Sequence, residues 1–392
     1  MSEIHYSIRD PWRAPRLGAS GRKMRVAFKS IIYGYFVYLF FAYASHMSAG
    51  TSPVAIWQAF HFFPSDPAFP GEIPSHLWNL GLVASILVVM MGSTGIVKLT
   101  YRQMKGDDFY GASDAWKCAL ERGRSTVFTP LMLLILFGLV CLSLWLLAWT
   151  SKIPGVGPLV LGLSVIPAFF VALIGIYLLI SLLLSLIYAP AVMGTTGDDG
   201  LEGVVQVMSL LWSMPWRTLS YTAAAFAAST VATWLLAIIS MGAMALTLNI
   251  FSKVYGFGSE FSTILTGMMS YLPLEPTILS SMPSWLWPGP FVELFPLLDT
   301  TSMATGNLSG IGSLESFLGG VSMLIVLGMV LSFWVSCLMS GITASFLALR
   351  RMKDGEILLD WADEIDELEE KAAARAESVG AESAGAEEET EE

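Results

Sequence analysis

Residues 129–150 read TPLMLLILFGLVCLSLWLLAWT, a run with no acidic, basic or amide side chain. As a helix at about 1.5 Å per residue it reaches roughly 33 Å, against a bilayer hydrocarbon core of about 30 Å. A helix satisfies its own backbone polar groups, so such a segment is stable in lipid, where an open chain is not. The stretch therefore predicts a membrane-spanning helix. Five others resemble it: Ser30–Ala49, Trp78–Leu99, Leu159–Met193, Leu219–Leu248 and Phe317–Leu349. The fourth exceeds one straight crossing, and Pro167 near its start predicts an interfacial turn over residues 159–166. The first follows a basic segment, residues 1–29, without a small-residue cleavage site, so it reads as a retained span.

Composition agrees. Of 392 residues, 54% are hydrophobic and 14% charged, where a soluble domain carries roughly 25% charged residues. Mean hydropathy is +0.63. These values exclude a disordered chain, a disulfide scaffold and an ordinary water-soluble enzyme. The expected fold class is an all-α, polytopic integral membrane bundle of about six transmembrane helices, with interfacial amphipathic helices. The membrane domain spans residues 30–349.

The net charge of −11 is local. Residues 353–392 hold 16 acidic and 3 basic side chains, which leaves the remainder close to neutral. No concentrated basic surface of the kind nucleic acid requires is present. Cys118, Cys141 and Cys337 lack metal spacing and read as free thiols.

Positive charge sets orientation. Arg9, Arg13, Arg16, Arg22, Lys23, Arg25 and Lys29 precede the first span. Lys98, Arg102, Lys105, Lys117, Arg122 and Arg124 lie between the second and third. Arg217 precedes the fifth, and Arg350, Arg351 and Lys353 follow the sixth; only Lys152 and Lys253 fall opposite. Both termini are thus expected in the cytoplasm of a prokaryotic cell, with the bundle in its cytoplasmic membrane. Lys29, Lys98 and Arg350 sit at span ends, where long side chains reach the headgroups.

Two cytoplasmic connections are alike. Gly106-Asp107-Asp108 precedes a helix-like stretch at 112–121 and then Arg124; Gly197-Asp198-Asp199 precedes one at 201–212 and then Arg217. In the second, Leu201, Val204, Val205, Met208, Leu211 and Trp212 recur at helical spacing, opposite Glu202, Gln206 and Ser209. Both stretches are expected as cytoplasmic surface helices. The echo reads either as the ordinary chemistry of polar loops or as a duplicated unit of span, surface helix and span. Over about residues 78–250, Pro190, Gly194, Asp198, Ser209, Pro215 and Arg217 in this frame resemble a group of six-helix prokaryotic membrane domains. The best-named member is the membrane part of glycerophosphoryl diester phosphodiesterases. No segment long enough for that family's catalytic domain is present, so the resemblance implies a fold and not an activity.

The span interiors contain no Asp, Glu, Lys or Arg, which disfavours a proton- or sodium-coupled pump. They do contain packing chemistry. Gly328, Ser332, Ser336 and Ser340 form a small-residue line that lets helix backbones approach closely. Span five is rich in alanine, and spans five and six are expected to pack on each other or on a partner. The tyrosines Tyr33, Tyr35, Tyr38 and Tyr43 of span one read as a mixture of interfacial and internally bonded side chains.

The outer loops, residues 50–77 and 249–316, are apolar. Trp57, Phe60, Trp285 and Trp287 are candidate contacts to outer-leaflet lipid, because tryptophan favours that depth; shielding the bundle is the alternative role. His46, His61 and His76 share this face but lack metal-ligand spacing. There is no phosphate loop, nucleophile elbow or zinc-protease motif. No catalytic, cofactor-binding or metal residue is nominated.

After Arg351 the sequence turns acidic. Residues 350–376 are expected as a cytoplasmic helix in which Leu358, Trp361, Ile365 and Leu368 repeat at a/d spacing. That stripe is a candidate site for a cytoplasmic protein partner. Residues 377–392 are expected as a disordered acidic tail. The leading expectation is a non-enzymatic membrane protein that organises lipid or partner proteins. The alternative is a permease or flippase-like transporter of an apolar or amphiphilic substrate, with a lipid-modifying enzyme third.

Overall fold

The computed structural model describes residues 6–64, 71–107, 109–150, 152–153, 157–255, 259–271, 310–355 and 357–360. Its helices, in chain order, are α1 (Ala14–Gly18), α2 (Gly21–Ser48), α3 (Pro53–Phe60), α4 (Glu72–Lys105) and α5 (Ala112–Thr150). Then come α6 (Gly157–Thr195), α7 (Gly200–Ser213), α8 (Pro215–Tyr255), α9 (Ser259–Met269) and α10 (Gly310–Asp354). Short 3-10 turns lie at Pro11–Arg13 and Leu358–Asp360. Among the described residues there is no strand, and six helices (α2, α4, α5, α6, α8 and α10) are long and apolar enough to cross a membrane. The protein is an all-α helical bundle of the polytopic membrane class.

Several helices are much longer than a bilayer is thick. The 39 residues of α5 reach roughly 58 Å at 1.5 Å each, so its ends extend past the hydrocarbon. At one end the excess is packed. One end of the bundle, which carries α1, the start of α2 and most of the lysines and arginines, holds a continuous core including Val26, Ile96, Tyr101, Tyr188, Val207, Ile342 and Phe346. Here α2 packs on α4, α4 on α5 and α6, and α10 on α1, α2, α4, α6 and α8. We call this the basic end and its opposite the far end.

Five expected boundaries change. The stretch 112–121 is not a separate surface helix but the first turns of α5, which continues without a break into the third span. The reason lies in its face: Ala115, Cys118, Ala119, Gly123, Thr126, Thr129 and Leu133 are all buried and fall along one side of the helix. Gly123, which looks like a breaker, is a contact point, since a Cβ there would lie 2.9 Å from the Met91 side chain. The stretch 201–212 is a discrete helix, α7, but its buried side is Val204, Val207 and Leu210, while Leu201, Val205 and Trp212 are exposed. Gln206, expected on the polar side, is buried and donates to Asp198 Oδ2 at 2.7 Å.

The fourth span begins at Gly157 as one helix, without a turn over 159–166. Proline within a membrane helix removes one donor, and the freed carbonyl finds local partners. The basic segment 1–29 is in large part folded: α1 packs into the bundle and α2 starts at Gly21. The outer loop 249–316 contains the end of α8, all of α9 and the start of α10. Finally, α10 stops at Asp354 and, among the described residues, a short turn follows at Leu358–Asp360, so 350–360 does not run as the start of one acidic helix.

The two Gly-Asp connections share one backbone device. Gly106 and Gly197 have φ of 94° and 73°, a left-handed conformation that glycine adopts without steric cost. Beyond it they diverge. Asp107 Oδ1 accepts from the backbone of Phe109 and Tyr110, whereas Asp198 holds Gln206.

Candidate functional site

The residues singled out in the sequence fall in three places. The line on α10 is buried: Ser332, Ser336 and Ser340 are each 1% exposed or less. Ser336 Oγ donates to the Gly18 carbonyl at 2.7 Å, and Ser340 Oγ lies 3.1 Å from Thr100 Oγ1. A Cβ on Gly328 would meet the Phe28 ring at 2.8 Å. The line therefore serves α1, α2 and α4. The contact between α10 and α8 uses a different side, where Trp334 packs edge-on to Phe226, Gly341 faces Ala225, and Ser345 reaches the Tyr221 carbonyl.

At the far end, α3 opens with Ser52 accepting from Ala55 N at 3.3 Å and Pro53 in its first turn, an N-cap arrangement. Its aromatic residues enter a cap of rings. Trp57 packs on His61, Phe62 and Phe317; His61 lies 4.7 Å from Tyr271, and Phe60 lies 5.0 Å from His46. Tyr271 and Phe317 meet edge-on at 5.8 Å. The segment after α3 is tied to α2 by Tyr35 and Tyr38, whose hydroxyls donate to the carbonyls of Phe62 and Pro64. Trp57 and Phe60 are thus half-buried in ring packing, and only their outer edges are left for lipid. Burial holds the His61 imidazole below its ordinary pKa. Trp285 and Trp287 lie outside the described residues.

The third place is the tail. Leu358 is 3% exposed and joins the core of the basic end, where Tyr101 donates its hydroxyl to the Leu358 carbonyl at 2.7 Å. It is therefore not offered to a partner, which corrects the a/d stripe at its first position. Trp361, Ile365, Leu368 and the stretch 377–392 lie outside the described residues.

Four features of the basic end escape sequence reasoning. Lys23 is 2% exposed and donates to the Leu17 carbonyl and to Gln103 Oε1. Lys98 and Arg102 are also buried rather than spread towards headgroups. Arg122 donates to the Gly197 carbonyl and so bridges α5 to the turn before α7. Arg351 lies 4.0 Å from the Tyr6 ring, whose hydroxyl burial pushes above its ordinary pKa despite that cation. Tyr110 moves the same way, again chiefly through burial. No periodicity marks these residues, because buried cations and headgroup-facing cations look alike in a sequence.

No metal-binding cluster of His, Cys, Asp or Glu occurs among the described residues. No family model, curated protein or solved structure matches the chain.

Proposed function

We propose that this protein is a non-enzymatic membrane component that organises lipid or partner proteins, with both termini in the cytoplasm of a prokaryotic cell. One observation carries the reading, namely the contrast between the two ends. The basic end is closed by long-range packing and hydrogen bonds. Towards the far end, α5, α6 and α8 stand largely uncovered. Only 6% of the most apolar window of α5 and 11% of that of α8 is buried within the chain. Leu142, Trp145 and Trp149 on α5, Leu163 and Phe170 on α6, and Ile239 on α8 are all exposed. Helices in lipid associate by packing rather than by hydrophobic force, so these faces are open to lipid or to other membrane helices. The charge-free span interiors favour this role over ion-coupled transport.

The test is extraction of the full chain from membranes in polymer nanodiscs, without detergent. Co-extracted lipid and protein should differ from the bulk membrane, and the difference should shrink in a Trp145→Ala/Trp149→Ala variant. A bulk-like composition, or lipid scrambling by the purified chain alone in vesicles, overturns the proposal.

A further inference from the structure

A groove of about 620 Å³ runs along the surface between α2, α4 and α5, within the roughly 300–1,000 Å³ of small-ligand sites. Glycine contacts create it. A Cβ on Gly92 would lie 2.2 Å from Ser30 Cβ, and one on Gly95 would lie 2.5 Å from the Ala115 carbonyl, so α4 is drawn close to both neighbours. Its Met91 and Gly92 form the floor. Phe36, Val37 and Phe40 of α2 make one wall, with Ala119 and Leu120 of α5 opposite. The walls open outward: Phe36, Phe40 and Leu120 are 61%, 69% and 54% exposed.

At its basic end the groove is closed by Tyr33 stacked on Trp116, with ring centroids 5.5 Å apart. Lys29 Nζ sits over Trp116 at 4.3 Å, and Arg25 lies one turn before it on α2. Both cations are exposed, and neither forms an ion pair with a described carboxylate. One face of α2 thus reads Arg25, Lys29, Tyr33, Phe36, Val37, Phe40: cations, then an amphipathic ring, then hydrocarbon. A phospholipid presents the same order of chemistry from phosphate to acyl chain, and Tyr and Trp favour the level between them.

We propose that this groove binds one acyl chain of an anionic phospholipid from the leaflet at the basic end, with the phosphate held by Lys29 and Arg25. Charge selects the occupant. A packed partner helix fills the groove but leaves two cations unanswered, and a zwitterionic lipid answers them less fully. The site lies away from the far-end faces of α6 and α8, and its loss leaves the organising role proposed above untouched.

The test uses the purified full chain reconstituted in vesicles of equal parts phosphatidylglycerol and phosphatidylcholine, followed by native mass spectrometry of the lipid it retains. Phosphatidylglycerol should be retained in preference. An Arg25→Gln/Lys29→Gln variant should lower the preference about fivefold per charge, the usual scale for a basic residue at an anionic surface. Lys29→Arg should keep it, and Val37→Trp, which fills the groove, should reduce retention of both lipids. Equal retention of the two lipids by the native chain, or an unchanged ratio in the charge variant, overturns the proposal. The two cations are exposed, so that variant remains decisive even if Val37→Trp fails to fold.

Discussion

Lys23 and Gln103 meet across the contact between α2 and α4, where Nζ donates to Oε1 at 2.7 Å and to the Leu17 carbonyl at 2.8 Å. A single ammonium thereby fastens the end of α1, the start of α2 and the last turn of α4. Removing it by Lys23→Met leaves the buried Leu17 carbonyl without this donor and releases the exposed Gln103 amide. Since an unsatisfied buried acceptor costs about 1–3 kcal/mol, a loss of about that size is expected. Gln103→Leu should also destabilise, because the buried Lys23 amine then keeps only the Leu17 carbonyl of these two acceptors, and the double variant should cost less than the two summed. Unfolding midpoints in micelles measure all three; a native midpoint for Lys23→Met removes the contact from the account.

Gly18 permits the N-terminal arm to lie on α10. A Cβ there would come within 2.4 Å of the Cys337 Cα and 2.8 Å of its Sγ. Backbone cannot yield as a flexible side chain does, so Gly18→Ala should lift α1 from its seat. Overpacking of this kind costs about 1–3 kcal/mol. The readout is specific, since Cys337 is fully buried. In a background lacking Cys118 and Cys141, maleimide labelling of Cys337 should be faster in Gly18→Ala than in the parent. Equal rates would mean that α1 shifts without uncovering α10.

The spans were legible because apolar length has one physical meaning in lipid, and hydropathy alone locates α5 and α10. Burial inside the bundle was legible where it follows size, as at Ser332, Ser336 and Ser340. What stayed hidden is direction. Leu201, Val204 and Val205 are equally apolar, yet only Val204 turns inward, because α7 lies between its own bundle and the exterior and both sides accept apolar groups. The same ambiguity hid Lys23, which lies beside the exposed Arg25, and Lys98, which stands at a span end where a long side chain could equally reach the headgroups. Gly123 is a packing residue where α4 and α5 touch, with the Met91 side chain 2.9 Å from where a Cβ would stand.

His61 gives the far-end cap a dependence on pH. Its ring is packed against Trp57 and Tyr271, and burial lowers its pKa from an ordinary value of about 6.5. The folded form therefore stays neutral while the unfolded form takes up a proton. Stability from this residue is level above about pH 6.5 and declines as pH falls through that value. Protection of the amides of residues 53–64, taken as the exchange rate relative to that of an unprotected amide at the same pH, should be weaker near pH 5 than near pH 7.5, and His61→Gln should flatten the difference. An identical pH profile in the variant would assign the effect to another group.

The same logic of burial decides what the first residues of the tail do. Leu358 fills a place in the core of the basic end, and its carbonyl accepts from Tyr101. A chain ending at Asp354 loses both the leucine side chain and the acceptor, whereas one ending at Asp360 keeps them. Burying a leucine is worth about 1.5–3 kcal/mol, so the shorter chain should unfold at a clearly lower temperature and the longer one close to the full-length value. Tyr101→Phe should cost about 1 kcal/mol in the full chain and less in the shorter one, where the Leu358 carbonyl is already gone. If both truncations unfold together with the intact protein, Leu358 contributes nothing to the bundle. The stripe it begins would then again be available to a partner along its whole length.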